Sequence, residues 1–131
     1  MDNSFTKAER LHGKKEINNL FDNGEKIFSY PYRIFWHIVD VDNQQVPISI
    51  IISVSKRNFK RAVDRNLIKR YIRESYRTQK SLLQDSLENK KIQIALLYIE
   101  KEIKNFHFHE KAIKKMLLKV SEDVEKVCAK K

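Results

Sequence analysis

Cysteine, glycine, proline and tryptophan are all scarce in this chain: one, two, two and one among 131 residues. A lone Cys128 cannot close an internal disulfide, which excludes a disulfide-held scaffold and suits a reducing cytosol. So few glycines and prolines leave no low-complexity linker, and no internal repeat appears. One domain is therefore expected over residues 1–131, with residues 1–12 as a partly ordered arm. No run approaches the roughly 20 apolar residues needed to span a bilayer. The opening Met1 to Lys7 lacks an apolar region behind a basic one, so no secretion signal is expected.

What the chain does have is positive charge, in one place. Of its net +10, +8 lies between Lys56 and Lys80, where ten basic residues face only Asp64 and Glu74. Such concentration in under a fifth of the chain is the footprint of a polyanion-binding site.

Around that segment the patterning reads as an α+β sandwich. Ile17, Leu20 and Phe21 at i, i+3, i+4 predict a helix over Lys14 to Asn23, stopped by Gly24. From about Lys26 to Ser55 the chain reads as extended, with strands at Tyr32 to Val41 and Val46 to Val54 around a turn at 42–45. In the latter strand Ile48, Ile50, Ile52 and Val54 share a buried face, while Ser49, Ile51, Ser53 and Ser55 line a smaller, half-polar one. That second face leaves room for something to lie against the sheet. A basic helix follows over Phe59 to Gln79, then a polar stretch at 84–91, a buried strand at Ile92 to Ile99, and a last helix from Phe108 to Val127. Ile113, Met116, Leu117, Val120, Val124 and Val127 give that last helix its core stripe.

On an ideal wheel with Val63 at zero, Val63, Leu67, Ile68, Tyr71, Ile72 and Ser75 occupy about half of the basic helix. Arg65, Asn66, Lys69, Arg70, Arg73 and Arg77 occupy the other half. Arg65, Lys69, Arg73 and Arg77 repeat at i, i+4, so like charges stack along one ridge, each pair costing an isolated helix a few tenths of a kcal/mol. A merely solubilising face would be interspersed with glutamates, as the last helix is with Glu122 and Glu125. Retained repulsion and abundant arginine, whose fork grips phosphate, point to RNA. Asn66 can serve equally as an RNA contact or in a local side-chain-to-backbone hydrogen bond.

Ser53-Val54-Ser55-Lys56-Arg57, Ala62-Val63-Asp64-Arg65-Asn66-Leu67-Ile68-Lys69-Arg70, Ile72-Arg73-Glu74 and Tyr76-Arg77 together resemble the signature of the ribonuclease P protein family. There a strand ending S-V-S-K-K/R runs into A-V-x-R-N-R-x-K-R-x-x-R-E. Arg10-Leu11, Lys14-Lys15 and Leu20-Phe21-Asp22-Asn23-Gly24 fit the family's opening pattern, so the likeness covers roughly Arg10 to Val124. Two positions depart from it: Leu67 stands where the family has a third-position arginine, and Ile17 where relatives often have an aromatic.

The resemblance implies the element order α-β-β-β-α-β-α, a ribosomal protein S5 domain 2-like sandwich with a left-handed βαβ crossover. It implies a protein subunit that assists a catalytic RNA in removing the 5′ leader of precursor tRNA in the bacterial cytoplasm, with magnesium held chiefly by the RNA. Its expected partners are ribonuclease P RNA and precursor tRNA, not DNA or membrane. RNA contacts are expected from Arg61, Arg65, Asn66, Lys69, Arg70, Arg73 and Arg77. A leader-binding cleft is expected from Phe21, Phe35, His37, Lys56, Arg57 and Lys60, with Phe21 open to simple core packing beside Leu20. Trp36 and Phe35 lie on opposite pleats, so only one of them can face the cleft.

The residues agree with a protein that does not itself cut RNA. A two-metal nuclease needs clustered carboxylates, and the basic segment offers only Asp64 and Glu74. No catalytic or metal-ligating residue is expected, and His107 and His109 are read as surface or helix-start residues. The rival readings are a general RNA-binding or ribosome-associated protein, and a DNA-binding regulator. The latter wants a helix-turn-helix, whereas an extended segment precedes this basic helix.

Overall fold

The computed structural model describes residues 14–39, 46–87 and 90–129. The arm expected at 1–12 and the turn expected at 42–45 lie outside those residues. Eight elements follow in order: α1 (Lys14–Asn23), β1 (Glu25–Ser29), β2 (Tyr32–Val39), β3 (Ile48–Val54), α2 (Ala62–Gln79), α3 (Ser81–Leu87), β4 (Lys91–Tyr98) and α4 (Phe106–Ala129). The strands form one sheet in the order β1-β2-β4-β3. β1/β2 and β2/β4 run antiparallel, and β3/β4 run parallel. Joining parallel neighbours requires a crossover, and α2 and α3 supply it. The expected order is found, with α3 added after the basic helix and overlapping the start of the expected polar stretch; Leu83 and Leu87 of α3 are buried.

The alternation of β3 sorts its residues as expected. Ile48, Ile50 and Val54 join Ile34, Trp36, Ile92 and Ile94 in the main core, with Ile52 packed against it. Against this face lie α2 through Ile68, Ile72 and Tyr76, α3 through Leu83 and Leu87, and α4 through Ile113, Met116, Leu117, Val120 and Val124. Val127 is 38% exposed, so the α4 stripe ends at Val124. On the opposite face α1 sets Leu20 against Ala95, with Ile17, Phe21, Phe35, Ile51 and Leu97 around it. The sheet is thus covered by three helices on one side and by a single ten-residue helix on the other.

Gly24 closes α1 at a point where no side chain fits. Its N–H donates to the Leu20 carbonyl at 2.8 Å. A Cβ at this position would lie 2.4 Å from that oxygen and 3.1 Å from the Trp36 carbonyl oxygen. Both are backbone atoms, so relief requires opening the last turn of α1 as well as moving it away from β2. Gly24→Ala is expected to destabilise the fold by roughly 1–3 kcal/mol, as overpacking does, read as a lowered denaturation midpoint. An unchanged midpoint would show that the α1–β1 corner yields freely.

The basic helix differs from its wheel in phase. Its buried residues are Ile68, Ile72, Ser75 and Tyr76, while Val63 is 66% exposed. The buried stripe is therefore centred about 165° from Val63 on an ideal helix, almost opposite to it. The reason lies just upstream. Phe59, expected as the first helical residue, is instead a buried loop residue stacked on Tyr98 at 6.0 Å. With Phe59 filling that end of the core, the first turn of α2 stands clear of it.

Candidate nucleic-acid interface

Two surfaces flank the joint between β3 and α2, and a turn holds them there. Ser55 Oγ accepts the N–H of Arg57 at 3.0 Å, and the Ser55 carbonyl accepts that of Phe59 at 3.0 Å. Lys56, Arg57, Lys60 and Arg61 all project from this stretch into solvent. Helix α2 begins at Arg61 without a side-chain cap. Instead Arg65 reaches back, its terminal nitrogen donating to the carbonyls of Phe59 at 2.8 Å and Lys60 at 3.0 Å. Part of the Arg65 fork thus stitches the helix to the turn, a structural use that its spacing could not reveal.

Along α2 the corrected phase sorts the cations. Asn66 and Arg70 are exposed. Arg65, Lys69 and Arg73 are half-buried and border the stripe on one side, while Leu67 and Tyr71 border it on the other. The Tyr71 border meets α4, where its ring lies 6.1 Å from Phe106 and 5.9 Å from His109. The Arg65–Lys69–Arg73 ridge therefore runs on the side away from α4. Arg77 is drawn aside: Nε and a terminal nitrogen contact Oε2 of Glu74 at 3.1 and 3.0 Å. Exposed ion pairs of this kind contribute little stability, so its charge is partly compensated but not locked away.

The second surface is the sheet face beneath α1. In-register neighbours build rows across it: Lys26, Phe35, Ala95 and Ile51 form one, and His37, Gln93 and Ser49 the next. Phe21 and Phe35 meet edge to face with centroids 4.8 Å apart, and Lys26 Nζ sits 5.8 Å from the Phe35 ring. A His37 ring nitrogen and the Gln93 side-chain oxygen are 2.7 Å apart. Phe35 is the aromatic facing α1, because Trp36 is buried in the main core, 2% exposed. Phe21 and Phe35 remain half-buried, so they are both packing partners and the wall of an apolar floor. Sequence reasoning does not reach Lys26 or Gln93 as site residues. Lys26 needs the β1–β2 register to place it, and Gln93 needs the non-local β2–β4 pairing.

The two histidines separate. His107 is exposed on the first turn of α4, 3.7 Å from a Glu110 oxygen. His109 is fully buried, contrary to the surface role expected of it, because residues two apart on a helix point about 200° apart. Its Nδ1 lies 2.6 Å from the Tyr32 hydroxyl and its Nε2 has no partner among the described residues. Burial pushes its pKa down to about 4. Among the described residues no three His, Cys, Asp or Glu side chains come together as a metal site. Nor, among them, is any helix long and apolar enough to cross a membrane.

A single mixed sheet carrying a cationic helix on one flank and a half-covered face on the other defines a small α+β protein with a surface suited to a polyanion. The family model described as Ribonuclease P matches residues 5–121, and the chain belongs to that ribonuclease P protein family. A ribonuclease P protein component from Porphyromonas gingivalis is 35% identical over 122 residues, covering 92% of this chain and 88% of its own. The one from Chlorobium phaeobacteroides is 32% identical over 106 residues, covering 74% and 73%. Among solved structures, the Staphylococcus aureus RNase P protein superposes with a TM-score of 0.69 at 21% identity, covering 88% of this chain and 96% of its own. The Thermotoga maritima protein gives 0.68 at 19%, covering 85% and 96%. Those two likenesses establish the fold. Membership makes this chain the protein component of a ribonucleoprotein endonuclease that processes tRNA.

Proposed function

We propose that this protein acts as a single domain in the bacterial cytoplasm, binding ribonuclease P RNA through α2 and the single-stranded 5′ leader of precursor tRNA through the face beneath α1. The observation that carries this reading is the retained ridge of Arg65, Lys69 and Arg73, joined through the exposed Lys56, Arg57, Lys60 and Arg61 to an aromatic-floored sheet face. Cations that replace counterions along the RNA backbone bind any sequence and do so salt-dependently. Stacked bases on aromatic platforms add about 1–3 kcal/mol each. A chain that grips the catalytic RNA with one surface and the leader with the adjacent one would hold the substrate in register for the cut.

The chemistry of the cut belongs to the RNA in this reading. Asp64 stands alone on the first turn of α2 and Glu74 is paired with Arg77, a donor set unsuited to gripping magnesium. The ions that activate water are assigned to the RNA, and the protein lowers the magnesium needed by neutralising backbone charge.

Reconstitution tests this. The chain is mixed with a bacterial ribonuclease P RNA and a precursor tRNA at low magnesium, and 5′-leader release is followed. Cleavage should exceed that of RNA alone and should fall when the leader is shortened. No gain over RNA alone would refute the reading. A gain independent of leader length would remove the cleft while sparing the RNA contact.

A further inference from the structure

On the α4 side of α2 lies an open pocket of about 450 Å³ lined by Leu67, Arg70, Tyr71, Glu74 and Phe106. It faces away from the ridge that the proposed RNA contact uses. Two half-buried aromatic rings, Tyr71 and Phe106, form one wall with centroids 6.1 Å apart. Phe106 is held in place because it opens α4, where Asn105 Oδ1 accepts the Phe108 N–H at 2.8 Å. Leu67 supplies an apolar floor at the position where the family pattern has an arginine. The exposed Arg70 and Glu74 stand at the rim. Both Arg77 contacts to Glu74 fall on Oε2, so Oε1 takes no part in that pair.

We propose that this pocket takes an unpaired guanine base of the RNA partner, a step that rests on α2 being the RNA-binding helix. The volume accommodates a purine with room for water. Tyr71 and Phe106 give the π-face a surface to stack on, and stacking by itself accepts any base. The rim supplies the choice. A carboxylate can only accept hydrogen bonds, and an arginine can only donate. Guanine alone presents two adjacent donors, N1–H and the N2 amine, on one edge and two adjacent acceptors, O6 and N7, on another. The Glu74 carboxylate, with Oε1 and the remaining lone pair of Oε2, matches the first edge and Arg70 the second, both as charge-assisted bonds. Adenine would set its N1 acceptor against the carboxylate, and uracil would flank its one donor with acceptors.

Four seven-nucleotide RNAs, uridines around a central guanine, adenine, cytosine or uracil, would be titrated into the whole protein and followed by fluorescence anisotropy. The guanine strand should bind roughly tenfold more tightly than the others. E74Q should bring guanine to the level of adenine, and F106A should lower the guanine strand alone. F106L preserves the apolar contact but not the stacking surface, so it should behave as F106A does without disturbing the fold. Guanosine 5′-monophosphate should shift the Tyr71 and Phe106 ring protons in NMR spectra where inorganic phosphate does not. Equal affinity for the four strands would overturn the proposal even if the free nucleotide binds, and so would ring protons unmoved by that nucleotide. K69A/R73A should weaken all four strands alike. If it does not, the RNA-binding reading of α2 fails while the guanine preference still judges the pocket.

Discussion

Replacing Lys69, Arg70 and Arg73 together by alanine should lower affinity for ribonuclease P RNA by about two orders of magnitude at moderate salt while leaving the fold intact. Removing each phosphate-neutralising cation should also flatten the slope of log affinity against log salt by somewhat under one, so loss of Lys69 and Arg73 should remove roughly one and a half to two of that slope, while loss of Arg70 at the pocket rim lowers affinity with less effect on it. These three residues are a cleaner probe than Arg65, whose guanidinium also holds the Phe59 and Lys60 carbonyls; its removal would loosen the start of α2 as well as remove a charge. They are cleaner than Arg77, which Glu74 partly neutralises. Fold stability should hold or rise slightly, because the Lys69–Arg73 repulsion at i, i+4 is relieved. The readouts are filter binding or anisotropy across a salt series, with thermal denaturation beside it. An RNA affinity and salt slope within error of the parent would mean that the cations of α2 face solvent for solubility alone.

Such predictions depend on how far local pattern determines position, and α2 shows both sides. The segregation of charge was legible because it needs only the chain's own order. The phase of the buried stripe was not, because Phe59, a loop residue, takes the core place that the wheel assigned to Val63, and a wheel has no term for a competitor outside the helix. Strand β3 was legible in its facing, though not in its start, since two of its residue pairs set isoleucine against serine, Ile48 against Ser49 and Ile52 against Ser53, and only Ile50 and Ile51 match. Helix α3 was not, because its seven residues bury only Leu83 and Leu87, too few to make a period stand out from polar neighbours. The sheet-face site divides in the same way. Phe35 and His37 are visible as alternate residues of one strand, whereas Gln93 joins them only through pairing across more than fifty positions. The pocket beside Tyr71 was invisible for a related reason: it exists only where the start of α4 meets α2.

Acidification should destabilise this protein through His109 more than through any surface histidine. The side chain is fully buried and its ring sits among Tyr32, Tyr71, Tyr98 and Phe108, with centroids between 5.4 and 6.0 Å away. The titratable groups among these are phenols. Burial raises the pKa of Tyr32 and Tyr98 above the ordinary value, so neither changes charge in acid and neither offers a counter-charge to an imidazolium. The folded-state pKa of His109 is accordingly lowered to about 4, against 6.5 for an unhindered imidazole. A depressed pKa means that the unfolded chain binds the proton first. The stabilisation is complete above pH 6.5 and is lost as the pH falls toward 4. Between pH 7.5 and pH 4.5 the loss attributable to this residue should be roughly 2–3 kcal/mol, at about 1.4 kcal/mol per unit. Carboxylates elsewhere also respond to acid, so the measurement is a difference. Urea denaturation of the parent and of His109→Gln, which keeps a hydrogen-bonding group for the Tyr32 hydroxyl but cannot become a cation, would be compared across that range. The variant should be the less stable at pH 7.5, since it leaves part of the aromatic box unfilled, and the gap between the two should narrow by that amount as the pH falls. A gap that stays constant with pH would mean that His109 protonates in the folded state as easily as in the unfolded one, and that water reaches it through the α2–α4 seam.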